Sequence, residues 1–149
     1  MKGMLIRKIP VLILLSFLSM GCKNFWHPEG PKKESDSGSN KVIAEELRGK
    51  WELQSLNVSG VWYDLPVTIG SNILYNAGYE YSSNGYLLFE NGIIVEQNTG
   101  VYTEGNRFYL SSGEAAQLSW QIGGNTLTLT NSVMGSIFRY NKTSKFSWE

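Results

Sequence analysis

A chain of 149 residues has room for one domain with tails. Its 13 basic and 13 acidic side chains cancel, and an unclustered, balanced charge gives no electrostatic basis for nucleic-acid binding. The single cysteine excludes an internal disulfide, so any folded part must hold by its core alone.

The chain opens with a basic stretch containing Lys2, Arg7 and Lys8, followed by the apolar run from Ile9 to Leu18. That run is too short to cross a hydrocarbon layer of ~30 Å, which takes about 20 helical residues. Basic, apolar and then small residues, in that order, fit a secretory signal peptide over residues 1–21. Its removal takes three basic residues and no acid, leaving ten against 13 and a formal charge of −3. Leu18-Ser19-Met20-Gly21-Cys22 resembles a relaxed form of the lipobox of bacterial lipoproteins, and the only cysteine stands where lipidation needs one. The resemblance implies a diacylglyceryl thioether on Cys22, usually with an added N-acyl chain. Each buried methylene contributes ~0.8 kcal/mol, so one chain holds marginally and two or three anchor stably. The membrane is thus the expected partner, through lipid. Lys23 stands where many lipoproteins retained in the inner membrane carry aspartate, so the resemblance favours the outer membrane, with the domain facing the periplasm or the outside.

Residues 22–41 combine prolines, glycines, serines and mixed charges, a composition that cannot bury enough apolar surface to fold. They read as a tether with a mean span of roughly 25 Å. His27, the only histidine, lies in this tether, where nothing fixes its geometry for catalysis or metal binding. The domain is expected over 42–149. Asn40 could cap a short helix through Glu46, with Ile43 and Leu47 on one face and Gly49 ending it.

Beyond Gly49 the helical period gives way to alternation. Trp51 and Leu53 share one face of the first strand, and Thr126-Leu127-Thr128-Leu129-Thr130 alternates most cleanly. Ser83-Asn84-Gly85, Glu90-Asn91-Gly92, Glu104-Gly105-Asn106 and Gly123-Gly124-Asn125 each separate two strand-like runs, with residues that tolerate the positive φ of tight hairpins. The pattern predicts strands near 50–58, 77–83, 85–90, 93–97, 99–104, 106–111, 116–122, 125–131 and 134–142. Within 59–76, Val61-Trp62-Tyr63 reads as strand or as a lid over one end. Eight or nine short antiparallel strands cannot lie as one open twisted sheet without curling. Closure removes the exposed edges. The prediction is an all-β, up-and-down antiparallel barrel preceded by a short helix.

Leu47-Arg48-Gly49-Lys50-Trp51-Glu52-Leu53 resembles the Gly-x-Trp opening of lipocalins. Gly100-Val101-Tyr102-Thr103, Asn106-Arg107-Phe108 and Gly124 to Leu129 resemble the hairpins of bacterial lipocalin-like domains, and Ile137 to Lys142 their closing strand. The resemblance covers residues 45–142 and implies a tryptophan beneath the barrel floor, covered by a basic residue. By position these are Trp51 and Arg139, a cation–π pair of ~0.5–2 kcal/mol. The domain is much shorter than full-length lipocalins, which implies a shallow cup.

The domain has neither histidine nor cysteine, which removes Ser-His-Asp, Cys-His and histidine metal chemistry from it. Glu80, Glu90, Glu96 and Glu104 lie beside turns or on polar faces and are expected to be solvated. No phosphate-cradling glycine loop opens a helix. Neither a cofactor nor an enzyme activity is expected. Aromatic residues dominate instead, and an eight-stranded barrel is just wide enough to be filled by them or to hold one small ligand. A small, partly apolar ligand is expected among Trp62, Tyr63, Tyr79, Tyr81, Tyr86 and Trp120. The alternative is a solid barrel serving as a structural or protein-interaction lipoprotein of the envelope. A void of about 300 Å³ or more would separate the two.

Overall fold

The computed structural model describes residues 41–149, together with the two-residue strand β1 (Lys8–Ile9). The signal peptide, Cys22 and the tether otherwise lie outside the described residues. β1 pairs in parallel with β4 (Val67–Ile69), which also pairs with β5 (Asn72–Leu74).

The main sheet starts with β2 (Gly49–Val58) and continues through β6 (Ala77–Tyr81), β7 (Gly85–Glu90), β8 (Ile93–Thr99), β9 (Val101–Glu104), β10 (Arg107–Leu110), β11 (Ala115–Gly123), β12 (Thr126–Asn131) and β13 (Ser136–Thr143). Its spatial order is β8-β7-β6-β2-β13-β12-β11-β10-β9, antiparallel throughout. The last strand lies against the first, with Phe138 opposite Leu56 and Lys142 opposite Trp51. This is the meander expected from the turn spacing, curled into a nearly closed barrel. β3 (Val61–Asp64) folds back on the second half of β2, where β6 no longer reaches.

β8 and β9 form the two ends of the order, and only Gly100, at φ 79°, separates them. They do not pair with each other; β8 ladders with β7 and β9 with β10. The seam beside them is closed by the segment that enters the barrel. Ile43 N–H donates to Ser83 O at 2.8 Å, Thr103 N–H to Val42 O at 3.1 Å and Ala44 N–H to Thr103 Oγ1 at 2.8 Å. These extended contacts explain why the expected helix shrinks to a single 3-10 turn at Glu45–Leu47: residues 42–44 act as a strand edge instead.

Leu53, Leu56, Leu88, Phe108, Leu118, Leu127, Leu129 and Phe138 meet in the interior, each at most 2% exposed. On the outside, the C-terminal segment folds over β6 and β7. Phe146 stacks on Trp148 at 4.3 Å between ring centroids, and both lie against Phe89. Gly78 makes this possible, since a Cβ there would stand 2.7 Å from Trp51 O and 2.8 Å from Phe146 Cε1.

Trp51 is wholly buried, and its indole donates to Leu47 O at 2.7 Å. Its cation, however, is Lys142, with Nζ 5.1 Å from the ring centroid, and not Arg139. Strand alternation decides the matter. Phe138, Tyr140 and Lys142 share the inner face of β13, whereas Arg139 points outward. There its guanidinium lies 4.2 Å from the ring of Trp62 on β3.

Candidate functional site

Alternation along β6 and β7 turns Tyr79, Tyr81, Tyr86 and Leu88 inward, with Tyr81 opposite Tyr86 and Tyr79 opposite Leu88. The rings touch. Tyr79 stacks on Tyr81 at 5.2 Å and meets Tyr86 edge-on at 5.6 Å and Tyr140 at 5.7 Å. Phe108 stacks on the far side of Tyr81 at 5.8 Å. Such offset and edge contacts are the favourable aromatic geometries, worth about 0.5–1.5 kcal/mol each beyond burial.

β8 brings polar groups against this cluster. Glu96 stands opposite Leu88 and Asn98 opposite Tyr86, so both lie on the face that the tyrosines share. A register shift between Leu88 and Phe89 sets this phase. The Tyr86 hydroxyl donates to Glu96 Oε1. Glu96 Oε2 is buried and has no partner, and neither has the hydroxyl of Tyr81, a residue only 2% exposed. An unpartnered buried polar atom costs about 1–3 kcal/mol, so each leaves hydrogen-bonding capacity to spare.

The electrostatics agree with this geometry. Burial pushes the phenols of Tyr79 and Tyr81 well above the ordinary tyrosine range, and neighbouring phenols and Glu96 push them further. Tyr86 is raised by burial and then by its bond to Glu96. Tyr140 is raised by burial and by Glu90. Glu90 is itself raised, first by burial and then by the charge of Glu96. The recess therefore holds neutral phenols beside a carboxyl, Glu90, that burial and Glu96 hold above its ordinary range.

A cleft of about 240 Å³ lies on the outer face of the same strands. It is lined by Glu80, Ser82, Tyr86 and Leu87 from the β6–β7 hairpin and by Gln97, Asn98 and Thr99 from β8. Of its lining residues only Tyr86 and Asn98 stand at inward-facing positions. Beyond Thr99 towards its start, β8 is poorly covered, with Ile93 67%, Ile94 51% and Val95 50% exposed.

Of the residues expected to contact a ligand, Tyr79, Tyr81 and Tyr86 come together. Trp62 is turned to Arg139 on the outer face, and Tyr63 beside it packs half-buried against the core from β3. Trp120 enters the core from β11 opposite Leu129, with its Nε1 buried and unpartnered. The expectation that the glutamates are solvated fails for Glu90 and Glu96. Ile93-Ile94-Val95 reads as three apolar residues in a row and hides the phase of β8; only its pairing with β7 reveals that Glu96 faces in. Among the described residues no three histidine, cysteine, aspartate or glutamate side chains converge on a metal position. Nor does any described helix have the length and apolarity to cross a membrane.

Compared with protein-family models, with curated proteins and with solved structures, the chain matches none.

Proposed function

We propose that this protein is an exported lipoprotein, tied to the membrane by acyl chains on Cys22, whose lipocalin-like barrel binds a small, partly apolar molecule. The observation that carries the binding reading is the pair of unpartnered buried atoms, Glu96 Oε2 and the Tyr81 hydroxyl, within an aromatic cluster. Five described side chains carry such atoms, and these two belong to residues around one aromatic cluster. The site lies on the flank, against β8, rather than in a deep cup. Buried aromatics fill much of the interior, and the cleft of about 240 Å³ on the outer face falls short of the ~300 Å³ at which ligand pockets usually begin, which by the criterion of void volume counts towards the second reading below. Any ligand of the flank is accordingly small. Outer-membrane attachment follows from the resemblance at Cys22 and Lys23.

A second reading has the barrel working as an interaction or envelope-structure protein through its outer surface. Ile93, Ile94 and Val95, exposed on a strand that ladders on one side only, favour it. Native mass spectrometry of protein extracted from its own membranes tests the first reading against the second. The expected result is a population carrying a small adduct beyond the acylated mass, lost on substitution of Glu96 by glutamine. A single mass without adduct, with tryptophan emission unmoved across a metabolite panel, contradicts it.

A further inference from the structure

Granted the second reading, in which the outer surface binds a partner, one edge of the sheet supplies the place. β8 stands at one end of the strand order and ladders with β7 alone. The β10–β11 turn comes up only to Gly100, where a Cβ would lie 3.3 Å from Ser111 Oγ, and among the described residues no strand ladders with β8 on its other side. A bare edge is a row of unpaired N–H and C=O groups, which folded proteins blunt with lysine, proline, an inward charge or a bulge. β8 contains neither lysine nor proline. Its single charge, Glu96, faces in, and its one irregularity falls between the partners of Leu88 and Phe89, so both devices sit at Val95 and Glu96 and leave its start unguarded. There Ile93, Ile94 and Val95 are half to two-thirds exposed. The hairpin tip before them is held firmly: Asn91 Oδ1 accepts from Tyr75 N–H at 2.7 Å and Nδ2 donates to Ile73 O at 2.8 Å. An edge fixed in this way is ordered before anything binds it.

We infer that β8 pairs antiparallel with β8 of a second copy, around a two-fold axis at Ile94, joining two barrels through one continuous sheet. Charge selects this occupant. A partner chosen by charge finds nothing to read at Ile93-Ile94-Val95, whereas an uncharged strand complements itself. With the axis at Ile94, Ile93 stands beside Val95 of the second copy and Glu96 beside its Gly92, so no like charges are opposed. The apolar face also continues across the joint. Ile94 lies opposite Phe89, whose ring packs on Trp148 at 5.8 Å on the outer face, and the second copy extends that stripe. Area sets the strength. Ile93, Ile94 and Val95 present roughly 300 Å² of apolar surface per copy. With the flanking rings and backbone the pair buries about 1,000 Å² in all, below the ~1,200 Å² at which stable complexes begin. The dimer is therefore reversible, and two copies anchored in one membrane meet at a raised local concentration.

The test is disulfide trapping in membranes of cells making the full chain. Opposed residues of an antiparallel pair have Cα atoms about 4.5–5.5 Å apart, within reach of a disulfide. Under mild oxidation Ile94→Cys is expected to give at least tenfold more disulfide dimer than Val133→Cys, which is as exposed but lies on the β12–β13 turn, off the edge. The natural chain, with Cys22 alone, reports the background. Sedimentation of the natural chain in detergent is expected to show a mass that rises with concentration. Ile94→Lys, at an exposed position that keeps the fold, is expected to hold it at the monomer. Equal trapping at 94 and 133, or a monomer mass for the natural chain at every concentration, overturns the pairing. A photoreactive phenylalanine analogue at position 93 separates the occupants. Capture of a second copy supports the dimer. Capture of another protein or of lipid alone overturns it while leaving an interaction face standing, and no capture with no trapping overturns both.

Discussion

Adding one methyl group at Gly78 tests how the outer face of the barrel is held. A Cβ at this position would lie 2.7 Å from the backbone oxygen of Trp51, 2.8 Å from Phe146 Cε1 and 3.1 Å from Trp148 Cη2. The two rings can retreat; the carbonyl sits in the β2–β6 ladder and cannot. Phe146, 2% exposed, must therefore leave its place, and the ladder must also distort. Losing the burial of one Phe costs about 1.5–3 kcal/mol. Overpacking adds about 1–3 kcal/mol, so Gly78→Ala should lose about 2.5–6 kcal/mol. For a domain of this size that lowers the melting temperature by roughly 10–25 °C. Gly123→Ala is the matched control, because nothing lies within 4 Å of a Cβ built there, and it should stay within about 0.5 kcal/mol of the parent. Urea unfolding followed by tryptophan emission reads both. In a double-mutant cycle, Phe146→Ala should cost much less in the Gly78→Ala background than alone, since the ring is already displaced. Should the two glycine variants unfold together, or the cycle prove additive, the packing argument fails.

Other expectations follow from the same geometry. Gly85→Ala would set a Cβ 2.2 Å from Asn98 O, so it should push β8 off β7 and raise hydrogen exchange selectively across 93–99. Asn131, buried at 2%, accepts from the amides of Val133 and Met134 at 3.0 Å each; Asn131→Ala should cost about 1–3 kcal/mol in denaturant unfolding. Tyr79, Tyr81, Tyr86 and Tyr140 have phenol pKa values raised in the folded state, so they stabilise it below the ordinary tyrosine value of about 10 and withdraw that support as pH rises above it. An ultraviolet titration should show the four buried tyrosines ionising only with unfolding; their ionisation in a folded protein near pH 10 would contradict their burial. Deleting residues 1–21 should leave the unfolding midpoint of the barrel within about 0.5 kcal/mol of the full chain, because β1 pairs only with β4 and lies outside the main sheet.

Most of the barrel was legible from turn chemistry. Asn-Gly and Gly-Asn pairs mark the β6–β7, β7–β8, β9–β10 and β11–β12 hairpins; in the last three, positive φ is required at Asn91, Gly92, Gly105 and Gly124, and few residues supply it. The alternation of leucine and threonine in β12 gave the inward face directly. Three features were hidden. Residues 42–44 carry a helical pattern, yet the open seam between β9 and the β6–β7 turn offers their backbone better partners. The partner of Trp51 depends on the phase of β13, a matter of one residue, and resemblance alone pointed to Arg139 when alternation favours Lys142. Glu96 looked like a solvated edge residue because its orientation is set by the irregular β7–β8 ladder, a pairing property that no single strand encodes. The tyrosines of the recess could be named from sequence, but their unpartnered hydrogen-bonding groups could not.

The anchor at Cys22 is what would place the flank site at a membrane. Metabolic labelling with a clickable fatty acid, in cells making the natural chain or Cys22→Ala, tests it most directly. The account predicts label that co-purifies with the natural protein and disappears from the alanine variant. Equal labelling of the two, or an unlabelled natural protein recovered in the soluble fraction, would contradict it.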